Sequence, residues 1–174
     1  MFDRFGITIT KIPYSIGNGD LALRSYRFTD LRALYALFTP EVILKACGIT
    51  YSPFHSLFSF RKWLITTFPI GYVVQVRESN RRRQVGFVGL YDLDIGRSLR
   101  ISLAIFHPED RQRGYGQQVL TLLLQALRDN HVAKTVGVEV LKVNKASLCF
   151  CQKLGFAVRG QNAESFVLEK AIED

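Results

Sequence analysis

Apolar and polar positions change period several times along the chain. Residues 6–13 (GITITKIP) and 21–28 (LALRSYRF) alternate in the two-residue period of strands, with the turn-forming IGNGD (16–20) between them. From 29 to 68, leucines and aromatics recur at helical spacing. TDLRALYALF (29–38) opens with Thr29 or Asp30 as cap, and TPEVILKACG (39–48) carries proline near its start and glycine after its end. SPFHSLFSFRKWLITTF (52–68) predicts a third, aromatic-rich helix. Three strand-like runs follow, 71–78, 84–94 and 97–106, and their polar separators predict an antiparallel meander. A helix is expected over 115–130, a strand over 132–141, a helix over 144–155 ending at Gly155, and a closing hairpin from 156–160 and 165–171. The order is mixed α/β, with strand–helix–strand–helix–strand units at the carboxyl end.

With 174 residues and no repeat or linker, the chain is expected to form a single domain over 1–174. Hydrophobic residues at 48% and charged residues at 22% fit a globular protein. No apolar run could span a bilayer, so no membrane association is expected. The opening MFDRFGITIT lacks a signal-peptide pattern. Three cysteines (Cys47, Cys149, Cys151) argue against a disulfide framework and for a reducing cytoplasm. The histidines (His55, His107, His131) lack metal-ligand spacing, and no metal is expected. A net charge of +8 favours anionic partners. The densest basic run, Arg81–Arg83, reads as a solvated turn between two strands. No recognition motif accompanies it, so nucleic acid is not expected as a partner.

The stretch RQRGYGQQVL (111–120) stands where a strand hands over to a helix. A helix N-terminus presents backbone amides without internal partners and a positive dipole end, which suits anions. Gly114 and Gly116 let a bulky anion approach the backbone, and Arg111 and Arg113 add charge-assisted donors. Gln117 and Gln118 in the first turn can donate as well. The physics points to a pyrophosphate. A P-loop is excluded because no Gly-Lys-Ser/Thr follows, and the dinucleotide fingerprint because Val119 stands where its third glycine would fall.

AIFHPEDRQRGYGQQ resembles the acetyl-CoA-binding segment of the GNAT (Gcn5-related) N-acetyltransferase superfamily, whose motif is Arg/Gln-x-x-Gly-x-Gly/Ala; Arg111, Gly114 and Gly116 occupy its defining positions. VEVLKVNKASLCFCQKLGF resembles the family's next strand and helix, and LALRSYRFTDLRALYALF its first strand and helix. The resemblance implies the GNAT fold: a mixed, mostly antiparallel central sheet flanked by helices, with the fourth and fifth strands splayed into a V. It implies acetyl-CoA as co-substrate. The pantetheine arm would pair with backbone of Ala104, Ile105 and Phe106. The pyrophosphate would sit on the amides of Gln112, Arg113, Gly114, Tyr115, Gly116 and Gln117, and Asn144 would hold the pantetheine arm or the acetyl end.

The reaction so implied is direct attack by a primary amine in a ternary complex. The acceptor could be a peptide or ribosomal-protein N-terminus, an amino sugar or a small polyamine. The alternative is a GNAT-fold sensor that binds acyl-CoA without catalysis. An amine with a pKa of about 10.4 must first lose a proton. Glu139 matches the glutamate base of one GNAT branch, and a strand amide near Ile105 or Phe106 is expected to stabilise the oxyanion. Two positions depart from the family. Cys151 stands where many members carry a tyrosine acid, and Arg100 where several carry glutamate. Cys149, two residues from Cys151, is expected to face elsewhere. The acceptor pocket is expected from 30–68 and from Tyr91, Asp92 and Asp94. Phe54, Phe58, Phe60 and Trp63 are either its lining or core. The closing hairpin offers Phe166 to the site or contacts for a homodimer.

Overall fold

The strand-like runs do pair into a meander, and helices cover both faces of the sheet they form. The structure is a computed structural model that describes residues 11–17, 19–47, 52–79 and 81–172. Its strands are β1 (Ser15–Ile16), β2 (Leu21–Ser25), β3 (Ile70–Glu78), β4 (Arg81–Asp94), β5 (Ser98–Ile105), β6 (Thr135–Leu141), β7 (Ala157–Gln161) and β8 (Ser165–Ala171). The helices are α1 (Leu31–Leu37), α2 (Pro40–Cys47), α3 (Leu57–Thr67), α4 (Tyr115–Asp129) and α5 (Lys145–Lys153). The strands lie in the order β1-β2-β3-β4-β5-β6-β8-β7. Every neighbouring pair is antiparallel except β5 with β6.

That one parallel pair opens the sheet. β5 and β6 are in register only over Ser98↔Thr135, Leu99↔Val136 and Arg100↔Gly137, and then part. They are the family's fourth and fifth strands, numbered one higher here because the short β1 precedes them. At the last paired position Gly137 leaves room for the Arg100 stem: a Cβ there would stand 3.2 Å from Arg100 Cγ.

One face of the sheet packs on α4, whose Val119, Leu120, Leu123 and Leu127 are buried against Leu23, Val88, Ile101 and Val138. The spacing of these helix residues makes a single apolar stripe. The other face carries an aromatic core. Phe38 meets Phe60, Trp63, Phe87 and Phe106 at centroid separations of 5.5–5.7 Å. Phe54 and Phe60 belong to this core and Trp63 packs against it, whereas Phe58 is exposed.

Several boundaries move. Residues 6–10 of the first expected strand lie outside the described residues, and 11–13 form no strand. The strand over 21–28 stops at Ser25 because the chain turns around Asp30. The Asp30 carboxylate accepts from both Arg24 Nη atoms at 2.9 Å, from the Arg27 amide at 2.6 Å and from Gln84 Nε2 at 3.2 Å. Asp30 is thus the residue before α1 without capping it. Helix α3 starts at Leu57, later than 52, where Ser56 and Ser59 form a reciprocal cap. Arg81–Arg83 are not a solvated turn but the start of β4. Among the described residues no helix is long and apolar enough to cross a membrane.

Candidate active site

Where β5 and β6 part, a cleft of about 640 Å³ runs from their divergence to the N-terminus of α4. Its walls are β5, β6, the β5–α4 loop and the first turns of α4 and α5. Of the residues expected to bind the co-substrate, Ala104, Ile105, Arg111, Gln112, Gly114, Tyr115, Gly116, Gln117 and Asn144 line it. Phe106, Arg113 and Gln118 do not: Phe106 is buried in the aromatic core, and the other two are exposed beside the loop.

The loop is shaped to present amides. Gln112 and Gly114 adopt left-handed backbone, with φ of 62° and 80°. Left-handed residues this close together turn successive N–H groups toward one point. The first bond into α4 is Gln118 N to Gly114 O, at 3.1 Å. Among the described residues, the N–H groups of 112–117 meet no acceptor. Gly116 has a second use: a Cβ there would stand 3.3 Å from Phe150 Cζ, so its bareness seats α5 against α4.

The arginines act differently from expectation. Arg111 Nε and Nη2 donate to the Ile105 and Phe106 carbonyls at 3.3 and 3.1 Å, and Nη1 lies 3.4 Å from Glu41 Oε1. Its guanidinium ties the loop to the end of β5. A second anchor went unseen in the sequence. Arg83 holds the fully buried Asp110 carboxylate through two 2.7 Å bonds, with Glu78 on its other side at 2.7 and 3.0 Å. The Arg83 guanidinium holds the Asp110 carboxyl below the usual carboxylate range, against the opposing effect of burial. Nothing local links residues 83 and 110, so only the folded chain reveals the pair.

Strand alternation corrects the backbone assignment. The Phe106 amide donates to Val85 O at 3.0 Å, so it faces β4 and cannot serve the cleft. By two-residue periodicity Ala104 faces β4 too, while Arg97 O accepts from residues 134 and 135 on the β6 side. The backbone of Leu103 and Ile105 therefore faces the gap, whereas the Ile101 N–H belongs to the last rung of the β5–β6 ladder, with Gly137. Glu139 lies two residues beyond the last paired position, Gly137, and so faces the open gap near its closed end rather than near Ile105.

Glu139 lines the cleft and its side chain is 35% exposed. Asn162 Nδ2 donates to its Oε1 at 3.0 Å, and Arg100 Nη1 lies 3.6 Å from its Oε2. Asn162, on the β7–β8 turn, reaches this site only because β8 lies beside β6. Asn144 caps α5, its Oδ1 accepting from Ser147 N at 3.1 Å. Cys151 is buried in the cleft wall, and burial pushes its thiol up to about 11, with Ser147 opposing. Cys149 is exposed but lines the same cleft, contrary to its expected direction, because the cleft wraps around the start of α5. Phe166 pairs with Val140 in the sheet and carries Lys142 Nζ 5.6 Å from its ring centroid. Among the described residues no three His, Cys, Asp or Glu side chains gather as metal ligands.

Solved structures share this architecture. A domain from Methanocaldococcus jannaschii DSM 2661 superposes with a TM-score of 0.76 at 22% identity, covering 88% of this chain and 99% of its own. Spermidine N-acetyltransferase from Vibrio cholerae, solved with CoA and spermine, gives 0.73 at 17% identity over 88% and 96%. A GNAT-family acetyltransferase from Bacillus anthracis gives 0.72 at 13% identity over 91% and 98%. No curated protein matches the sequence significantly. The Acetyltransferase (GNAT) domain family matches residues 20–157, well over half of the chain, and with the splayed β5–β6 pair and the amide-rich loop before α4 this places the protein in the GNAT acetyltransferase family.

Proposed function

We propose that the protein is an acetyl-CoA-dependent N-acetyltransferase acting on a primary amine by direct attack in a ternary complex. The observation that carries this is the run of amides over 112–117, which meet no acceptor among the described residues, at the mouth of a cleft whose wall includes Glu139. Those amides and the α4 dipole suit a diphosphate, and the Ile105 N–H and the Leu103 backbone, on the gap side of β5, suit the amide groups of a pantetheine arm. Asn144 lines the cleft with its Oδ1 engaged by Ser147 N, so its Nδ2 is the group available to donate to the arm. From Ser102 to Phe106 the strand spans about 13 Å, room for an extended arm between the two ends of the site.

At the inner end, Glu139 accepts the proton that the amine must lose, held in orientation by Asn162 and Arg100. The Leu103 amide, rather than that of Phe106, is the candidate donor to the developing oxyanion. Holding both substrates in attack geometry supplies much of the acceleration. No covalent enzyme intermediate is needed.

The ligand-side test leaves the fold untouched. Acetyl-CoA should bind at least ~100-fold more tightly than S-acetylpantetheine, which lacks the diphosphate. Equal affinities would remove the loop assignment. Glu139→Gln should lower kcat roughly 100-fold or more while acetyl-CoA affinity stays the same. Tight binding with no thiol release across a broad amine panel would mark a sensor instead.

A further inference from the structure

Beside Glu139 in the cleft wall stands a charge cluster to which the reading above, on which this inference rests, gives no role in binding the acceptor. The Arg100 guanidinium stands between two carboxylates, with Nη1 3.6 Å from Glu139 Oε2 and Nε 3.6 Å from Asp92 Oδ2. Both separations are ion pairs longer than hydrogen bonds, so the five-donor fork keeps much of its capacity. Arg100 is 37% exposed, open to a ligand yet directed. Its stem lies over the bare Gly137 backbone, and a Cβ there would press on Cγ at 3.2 Å. Glu139 is held from its other side by Asn162. An anchored cation and an anchored anion thus stand side by side where the acceptor must arrive.

We propose that the acceptor is a free α-amino acid, its carboxylate bound by Arg100 and its amine presented to Glu139. In such a zwitterion the two charged groups hang from one carbon, and their separation matches adjacent Arg and Glu side chains in opposite polarity. A planar guanidinium suits a carboxylate in particular, through paired hydrogen bonds. A polyamine has no carboxylate for the Arg100 fork, and because Asp92 and Glu139 leave the cluster net negative, the preference for the zwitterion comes from paired hydrogen bonds rather than from repulsion of cations. The chemistry balances. The ammonium gives one proton to Glu139, the nitrogen bonds to the acetyl carbon, and the C–S bond breaks with its electron pair leaving on sulfur. The second amine proton then neutralises the thiolate.

The test is thiol release from acetyl-CoA with matched acceptors: each common L-amino acid, its carboxamide, its decarboxylated amine, and spermidine. In the wild type at least one amino acid should exceed its own carboxamide in kcat/KM by roughly 10- to 100-fold, the range of a charge-assisted pair. Arg100→Ala should bring that ratio close to one and raise the standing of spermidine relative to amino acids, while Arg100→Lys keeps part of the preference. An arginine that only braced the sheet would lower all acceptors together and leave the ratio alone, which would overturn the proposal. So would a carboxamide, amine or polyamine used as well as the best amino acid, and that result leaves the acetyltransferase reading intact. Acetyl-CoA binding without release from any amino acid also overturns it. Absence of both binding and release would sink the two readings together.

Discussion

Cys151 occupies the position where many relatives would carry a tyrosine acid, and its surroundings decide what it can do. Burial lifts its thiol to about 11, with Ser147 opposing. A thiol raised in this way is a weaker acid than an ordinary cysteine, which disfavours its giving a proton to a leaving thiolate. A buried thiol of this kind is a small packing group. Cys151→Ala is therefore expected to keep kcat within about threefold in a thiol-release assay. Iodoacetamide should label Cys149 well before Cys151, as peptide mass spectrometry would report. A hundredfold loss of kcat would restore the acid role. At the same scale, Arg111 shows how a motif residue can act through the backbone: its donors go to Ile105 and Phe106 carbonyls, so it sets the loop's shape.

The β5–α4 loop works as an element because ion pairs from elsewhere hold it. Asp110 is fully buried and depends on Arg83. Its folded pKa is depressed, so its contribution is complete above the unfolded value of about 3.9 and is lost as pH falls below that. Asp30 carries the same sign, since bonds led by Arg24 outweigh its burial. Wild-type stability should thus decline below about pH 4. Arg83→Ala leaves a buried carboxylate without its cation and should cost about 3 kcal/mol at neutral pH. In that variant Asp110 would prefer its protonated form, so the deficit should shrink in acid. Denaturant melts of both proteins at pH 7 and pH 4 measure this, and a constant difference would refute it. The variant should also weaken acetyl-CoA, because the amide run of 112–117 follows directly from Asp110.

At the scale of the whole molecule, one sheet separates an aliphatic core under α4 from an aromatic core under α1–α3, and the cleft opens where the sheet divides. A ligand that bridges the V binds only the folded chain. Acetyl-CoA at a hundredfold excess over its Kd should then stabilise the protein by about 2.7 kcal/mol, a melting shift of roughly 5–10 °C. S-Acetylpantetheine at the same concentration should give only a small fraction of it.

Local chemistry is written in the chain and could be read there. Alternation marked β3 to β6 and β8, leucine spacing marked α4, and the glycines at 114 and 116 marked the turn where amides gather, because each depends on neighbours within a few residues. Asn144 and Glu139 were also visible, through their place in a resembling segment. What the order of residues could not reveal is every partnership across distance. Arg83 with Asp110, Asn162 with Glu139, the Phe106 amide with Val85, and the Arg100 stem over Gly137 join positions that only the strand order β5-β6-β8 and the β4–β5 register bring together. Local periodicity determined the elements and the glycine turn before α4. Packing alone decided which backbone donors lack partners among the described residues, which arginines hold the scaffold and which charges stand together, since hydrogen bonds and ion pairs depend on separation in space and not along the chain.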